Sequence, residues 1–109
     1  MVVTGEVARS RRARRRGLLG RARIDGALVL PRCRQVHTFG MRFAIDVAFC
    51  TADGMVLRVI TLRPNRISPV IWRSRLVVEA AAGTFADWPL GVGDVLRVRE
   101  SAAHGECHE

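Results

Sequence analysis

From Gly26 onward the chain is built of apolar runs of four to eight residues, each closed off by turn residues. That run length constrains the fold more than any other feature. A packed helix needs about ten or more residues of sustained 3.6-residue periodicity, whereas a strand needs only about four to eight. Ala27–Leu30 reads as a strand stopped by Pro31, and Arg34–Thr38 as a weaker one. Ala44–Thr51 is the strongest, with Ile45, Val47 and Phe49 on one face. Ala52-Asp53-Gly54 is a turn signal and Met55–Leu62 the returning strand, so residues 44–62 form a hairpin. Arg63–Pro69 is a loop with two prolines, Leu76–Ala81 a further strand, and Val95–Arg99 the last one, entered through Gly93-Asp94. Gly83–Trp88 is predicted as one helical turn, capped by Thr84 and closed by Pro89. Short strands at regular spacing with few helices imply a mainly β fold, a single compact antiparallel barrel or sandwich. Closure would also remove exposed strand edges.

The first 23 residues are of another kind. They hold eight arginines (Arg9, Arg11, Arg12, Arg14, Arg15, Arg16, Arg21, Arg23) and one acid, Glu6, a balance of +7 out of the chain's total of +8. Residues 24–109 carry ten arginines and nine acids, leaving +1. A helix is predicted over about 8–19, since arginine is a good helix former and Gly17 and Gly20 can end it. Its apolar arc is interrupted by Arg11 and Arg15, which fits a solvated helix whose long side chains reach water. The same block offers a second reading: Arg9, Arg11, Arg12, Arg14, Arg15 and Arg16 as a non-specific site for nucleic acid or another anionic surface.

At 109 residues, 49% of them hydrophobic and 26% charged, the chain is one domain, expected over residues 1–100 with a mobile tail over 101–109. No run free of charge exceeds seven residues, so no membrane-spanning helix is expected. The arginine-rich start does not look like an export signal, and the three cysteines include no close pair. Together these point to the cytoplasm and free thiols. Cys33 lies between Arg32 and Arg34 and is read as a reactive surface or buried thiol rather than a catalyst. His104, Cys107 and His108 are metal-binding types, but on a mobile tail they make no structural zinc site. No phosphate loop, nucleophile elbow or paired CxxC is present, and no cofactor is implied. Trp72 and Trp88 are expected in the core or at its rim rather than as stacking platforms.

Asp46 and Glu79 are the most informative single residues. Each sits mid-strand among apolar neighbours, where an unpaired carboxylate costs several kcal/mol, so each must face solvent or find a partner. If their strands approach, Asp46, Glu79, Arg42 and His37 could meet, beside Met41 in the mixed segment His37–Phe43. The plainest expectation for such a group is a structural hydrogen-bond and ion-pair network. The leading functional reading is a non-enzymatic module, monomeric or weakly dimeric, that binds a small ligand or a protein through His37, Met41, Arg42, Asp46 and Glu79, with Arg42 clamping an anion. A hydrolase or lyase using His37 with Asp46 is a further alternative, and the enzyme question stays open, leaning to no.

Several blocks carry a resemblance. Gly17-Leu18-Leu19-Gly20-Arg21, the stretch His37 to Phe49, Ala52-Asp53-Gly54, Val78-Glu79-Ala80-Ala81-Ala82-Gly83-Thr84 and Gly91-Val92-Gly93-Asp94 together resemble the prokaryotic domain-of-unknown-function family 192, from about Val7 to Val98. The resemblance implies a compact, jelly-roll-like β fold and no settled reaction. Against the family pattern, the N-terminal strand is read as cut short and the helix after it as unusually arginine-dense.

Overall fold

The computed structural model of the chain describes residues 1–8 and 26–100. The helix predicted over 8–19, beyond Ala8, and the tail over 101–109 lie outside the described residues. Six strands and one short helix follow in order: β1 (Val2–Val7), β2 (Ala27–Pro31), β3 (Ile45–Cys50), β4 (Val56–Leu62), β5 (Leu76–Ala81), α1 (Thr84–Asp87) and β6 (Arg97–Glu100). They form one sheet in the order β4-β3-β5-β2-β1-β6. The radius of gyration of 12.6 Å is that of a single small domain.

Two expectations are corrected here. The sheet is not closed, and it is not antiparallel throughout. β1 is parallel to both of its neighbours, with Gly5 opposite Ala27 on β2 and Val3 opposite Val98 on β6. Parallel neighbours need a long connection, and residues 8–26 supply one between β1 and β2. The two edges do meet at one point: Met55 bridges Val95, flanked by hydrogen bonds from Val56 N to the Asp94 carbonyl (2.8 Å) and from Leu96 N to the Gly54 carbonyl (2.8 Å). Because that bridge is antiparallel, β4 runs on past Asp94 while β6 runs on past Gly54. The two strands diverge from the crossing and never pair, so the expected barrel stops at a single contact.

The N-terminal strand is not cut short. β1 has six residues and holds β2 to β6. Its Gly5 looks like an interruption, yet the position requires one: a Cβ there would overlap the Ala27 carbonyl of β2. Arg34–Thr38, expected as a weak strand, contributes only the isolated bridge from His37 to Ile67.

β3 is buried along its whole length because it lies between β4 and β5 with both faces covered. On the first face Ile45, Val47 and Phe49 pack with Leu28, Leu30, Leu62 and Val77, under a lid of Val36 and Met41. On the second face Ala48 and Cys50 pack with Val29, Val78 and Ala80, under Phe85 of α1 and Leu96. Complete burial of a side chain the size of Phe49 contributes about 2–3 kcal/mol. Burial pushes the Cys50 thiol up to about 11, so it stays protonated and unreactive.

The β3–β4 turn explains one glycine. Gly54 has φ near 94°, its N–H donates to the Thr51 carbonyl, and a Cβ would overlap the Leu96 carbonyl at the edge-to-edge crossing. Gly54→Ala is expected to cost about 2 kcal/mol or more through the left-handed backbone and the clash. A urea midpoint that does not move would disprove that account.

Candidate functional site

Adjacent-strand register decides the fate of the two buried carboxylates. Asp46 lies opposite Ala80, and Val47 lies opposite Glu79. The one-residue offset puts the two side chains on opposite faces of the sheet. Asp46 shares the second face with Ala48 and Ala80. Glu79 shares the first with Val47, Leu28 and Val77. The convergence of Asp46, Glu79, Arg42 and His37 is therefore not made.

Asp46 is fully employed in the fold. One oxygen accepts the Thr61 hydroxyl (2.7 Å); the other accepts the backbone N–H of Gly83 (2.9 Å) and of Phe85 (3.1 Å). A carboxylate at the start of α1 satisfies donors that the helix itself cannot. Thr84, expected to cap this turn, makes no side-chain cap; the cap arrives from β3 instead.

Glu79 is the opposite case. It is 4% exposed, flanked across the ladder by Leu28 and Val47, and its carboxyl has no hydrogen-bond or ion-pair partner among the described residues. Burial raises its pKa to about 7.

The other three candidates sit in a layer over the first face. Residues 32–44 and 63–75 run antiparallel and are laced together. Ile71 N donates to the Arg34 carbonyl (2.8 Å), Val36 N to the Ser68 hydroxyl (3.0 Å), and Gly40 N to the Asn65 side chain (2.9 Å). Thr38, wholly buried, donates its hydroxyl to the Arg63 carbonyl (2.6 Å) and accepts from Arg66 N (2.9 Å). Met41 is part of the core beneath this layer. His37 is exposed, stacked against Phe39 with ring centroids 5.0 Å apart, and its Nδ1 accepts the Phe39 N–H (3.2 Å). Arg42 is exposed on the same segment and has no hydrogen-bond partner among the described residues. His37 is thus on the first-face side and Asp46 on the second, so the pair that a hydrolase or lyase would need is separated by the sheet.

The layer holds what counting charge along the chain missed. Its two segments contain seven arginines (Arg32, Arg34, Arg42, Arg63, Arg66, Arg73 and Arg75), all exposed, and no acid. The nearly neutral balance of residues 24–109 conceals a strongly positive surface. The available signal was a pair of acid-free stretches, Ala27–Ile45 and Met55–Val78. Arg9, Arg11, Arg12, Arg14, Arg15 and Arg16 lie outside the described residues. The half-buried Cys33 donates its thiol to the Gln35 carbonyl (3.3 Å). Among the described residues no three His, Cys, Asp or Glu side chains group as a metal site, and no helix is long and apolar enough to cross a membrane.

The arrangement has known counterparts in fold. A protein of unknown function from Novosphingobium aromaticivorans DSM 12444 superposes with a TM-score of 0.72 at 18% identity, over 84% of this chain and 71% of that one. A proposed transcription regulator from Sinorhizobium meliloti 1021 superposes with a TM-score of 0.71 at 21% identity, over 84% and 78%. At those identities the likeness is one of fold alone. None of the curated proteins matches the chain. The family model described as "Uncharacterized ACR" matches residues 1–98, the whole sheet up to Val98 included, and the chain belongs to that family, the domain-of-unknown-function family 192.

Proposed function

We propose that the protein is a non-enzymatic binding module whose working surface is the layer formed by residues 32–44 and 63–75, and that its partner presents several anionic groups. One observation carries the reading: seven exposed arginines on two mutually hydrogen-bonded segments with no acid among them. A cationic surface free of counter-charges draws anions by its summed field, and guanidinium forks bind carboxylate or phosphate oxygens in pairs. Rigidity adds to this, since segments fixed by backbone hydrogen bonds lose little freedom on binding. His37, Met41 and Arg42 of the expected site belong to this layer or lie directly beneath it; Asp46 does not.

Arg42 and Arg73 are suited to the test because neither has a hydrogen-bond partner among the described residues, so replacing them leaves the layer intact. The double variant Arg42→Glu/Arg73→Glu should bind inorganic polyphosphate at least tenfold more weakly than the parent at low salt. The slope of log affinity against log salt should fall by about two. Equal affinity in parent and variant would remove the layer as the binding surface.

A further inference from the structure

The charge of the layer does not account for its rings. Trp72 is 73% exposed and Phe39 49% exposed, on segments that are otherwise tied down. Trp72 is held at its backbone. Its carbonyl accepts from Arg34 Nε (3.1 Å) and from an Arg75 guanidinium nitrogen (2.9 Å), while the neighbouring Ser74 hydroxyl donates to the Cys33 carbonyl (2.7 Å). The indole therefore projects from a fixed base, with Arg73 next to it. Three positions along the facing segment stands a second ring platform, His37 stacked on Phe39 at an interplanar angle of 23°. Three extended residues span about 10 Å, which places the platforms within a few nucleotides of each other. Arg34 lies on the segment between them, Arg66 faces Thr38 within the second platform, and Arg42 follows Phe39. Each guanidinium has five N–H donors; the backbone contacts of Arg34, Arg66 and Arg75 use only one or two each, leaving the rest for a ligand.

Resting on the anion-binding reading above, we infer that the partner is a single-stranded nucleic acid, its unpaired bases stacked on Trp72 and on the His37–Phe39 pair and its phosphates held by the surrounding arginines. Aromatic faces interleaved with cations are what single strands require, since every base has a face to stack and every linkage a charge. Duplexes hide those faces. Stacking uses the faces that all bases share, so recognition is tolerant of sequence. An acidic peptide satisfies the arginines but gives the exposed indole nothing flat to cover.

The experiment uses the full chain and a fluorescently labelled twelve-residue oligothymidylate, followed by anisotropy at low salt. Unlabelled competitors are a duplex of the same length, inorganic polyphosphate, a poly-glutamate peptide and phosphatidylserine vesicles. The single strand should outcompete all four. Trp72→Ala should weaken single-strand binding by roughly 5- to 150-fold, the range of one lost base stack, and leave polyphosphate binding unchanged. Indole emission in the Trp88→Phe variant, where Trp72 is the sole reporter, should be quenched by the oligonucleotide. Because Trp72 is exposed, its removal leaves the core intact, and a circular-dichroism trace matching the parent verifies this. If Trp72→Ala binds the single strand as the parent does, or if peptide, vesicles or polyphosphate compete as well as the oligonucleotide, base stacking is overturned while the anionic surface stands. If no polyanion binds at all, both readings fall.

Discussion

Glu79→Gln is expected to stabilise the protein by about 3 kcal/mol at pH 8 and to change its stability little at pH 4. The reason is linkage. Burial lifts the Glu79 carboxyl from an ordinary 4.5 to about 7 in the folded chain, because its charged form is stripped of most of its water. Below about pH 4.5 the group is protonated in both the folded and unfolded states and contributes nothing to the pH dependence. As the pH rises from there to 7, the unfolded chain gives up its proton while the folded one keeps it, so folding is progressively disfavoured. Above 7 both are ionised and the penalty levels off. A shift of this size corresponds to about 3 kcal/mol at about 1.4 kcal/mol per pKa unit. Glutamine has the shape of the neutral acid and cannot ionise, so the variant should lack that descent. Urea denaturation of both proteins from pH 4 to 8 reads the difference directly. Parallel stability curves across that range would mean that Glu79 has a donor after all.

Such a residue works against the fold, and a fold does not need it. Among the described residues no side-chain oxygen or nitrogen wholly shut off from solvent lacks a partner, so the unpartnered Glu79 carboxyl keeps slight access to water amid apolar neighbours. The arginine layer lies over the same face of the sheet as Glu79, yet its guanidinium groups are exposed and none is bonded to the carboxyl. The layer therefore gains its positive field without drawing on this carboxylate, and the carboxylate keeps its raised pKa.

How much of this could be read from the residues follows from what each inference required. Ile45, Val47 and Phe49 on one face, the turn at Ala52-Asp53-Gly54 and the strand Leu76–Ala81 were all legible, because alternation and turn chemistry are local. β1 was hidden by Gly5, whose purpose appears only when Ala27 is beside it. The open sheet was hidden because parallel pairing depends on partners far apart in the chain. Asp46 and Glu79 show the limit most sharply. Sequence identified both as anomalous, and its demand for a partner is met at Asp46, which holds three donors, but not at Glu79. Yet whether they meet hangs on a one-residue offset between β3 and β5, which no single strand encodes. The cationic layer escaped for a related reason: charge was summed along the chain, where Asp53, Glu79, Asp87 and Asp94 offset the arginines, whereas in space none of those acids belongs to the two segments that carry them.

Asp46 differs from Glu79 in having every carboxylate oxygen engaged. Asp46→Ala should lower stability by about 3 kcal/mol or more at pH 7. Three donors lose their acceptor at once: the Thr61 hydroxyl and the N–H groups of Gly83 and Phe85. Each hydrogen bond to a charged group contributes about 1.5–3 kcal/mol, and a buried donor left empty incurs its desolvation as well. The Thr61 hydroxyl can turn to solvent, and Gly83 N is only partly buried, so the sum falls short of three full bonds. Phe85 N is buried and has no such escape. The damage should therefore be local as well as global, with faster amide exchange at Gly83 and Phe85 and loosened packing of the Phe85 and Trp88 rings, whose centroids lie 5.5 Å apart. Asp46→Asn should fall between parent and alanine, since its amide keeps one acceptor oxygen for the two faced by donors. Binding of polyanions should survive in both variants at temperatures where they remain folded, because the arginine layer lies on the other side of the sheet. A folded Asp46→Ala protein that has lost polyanion binding would return this carboxylate to the site. One with unaltered exchange at Gly83 and Phe85 would show that α1 is anchored by something other than β3.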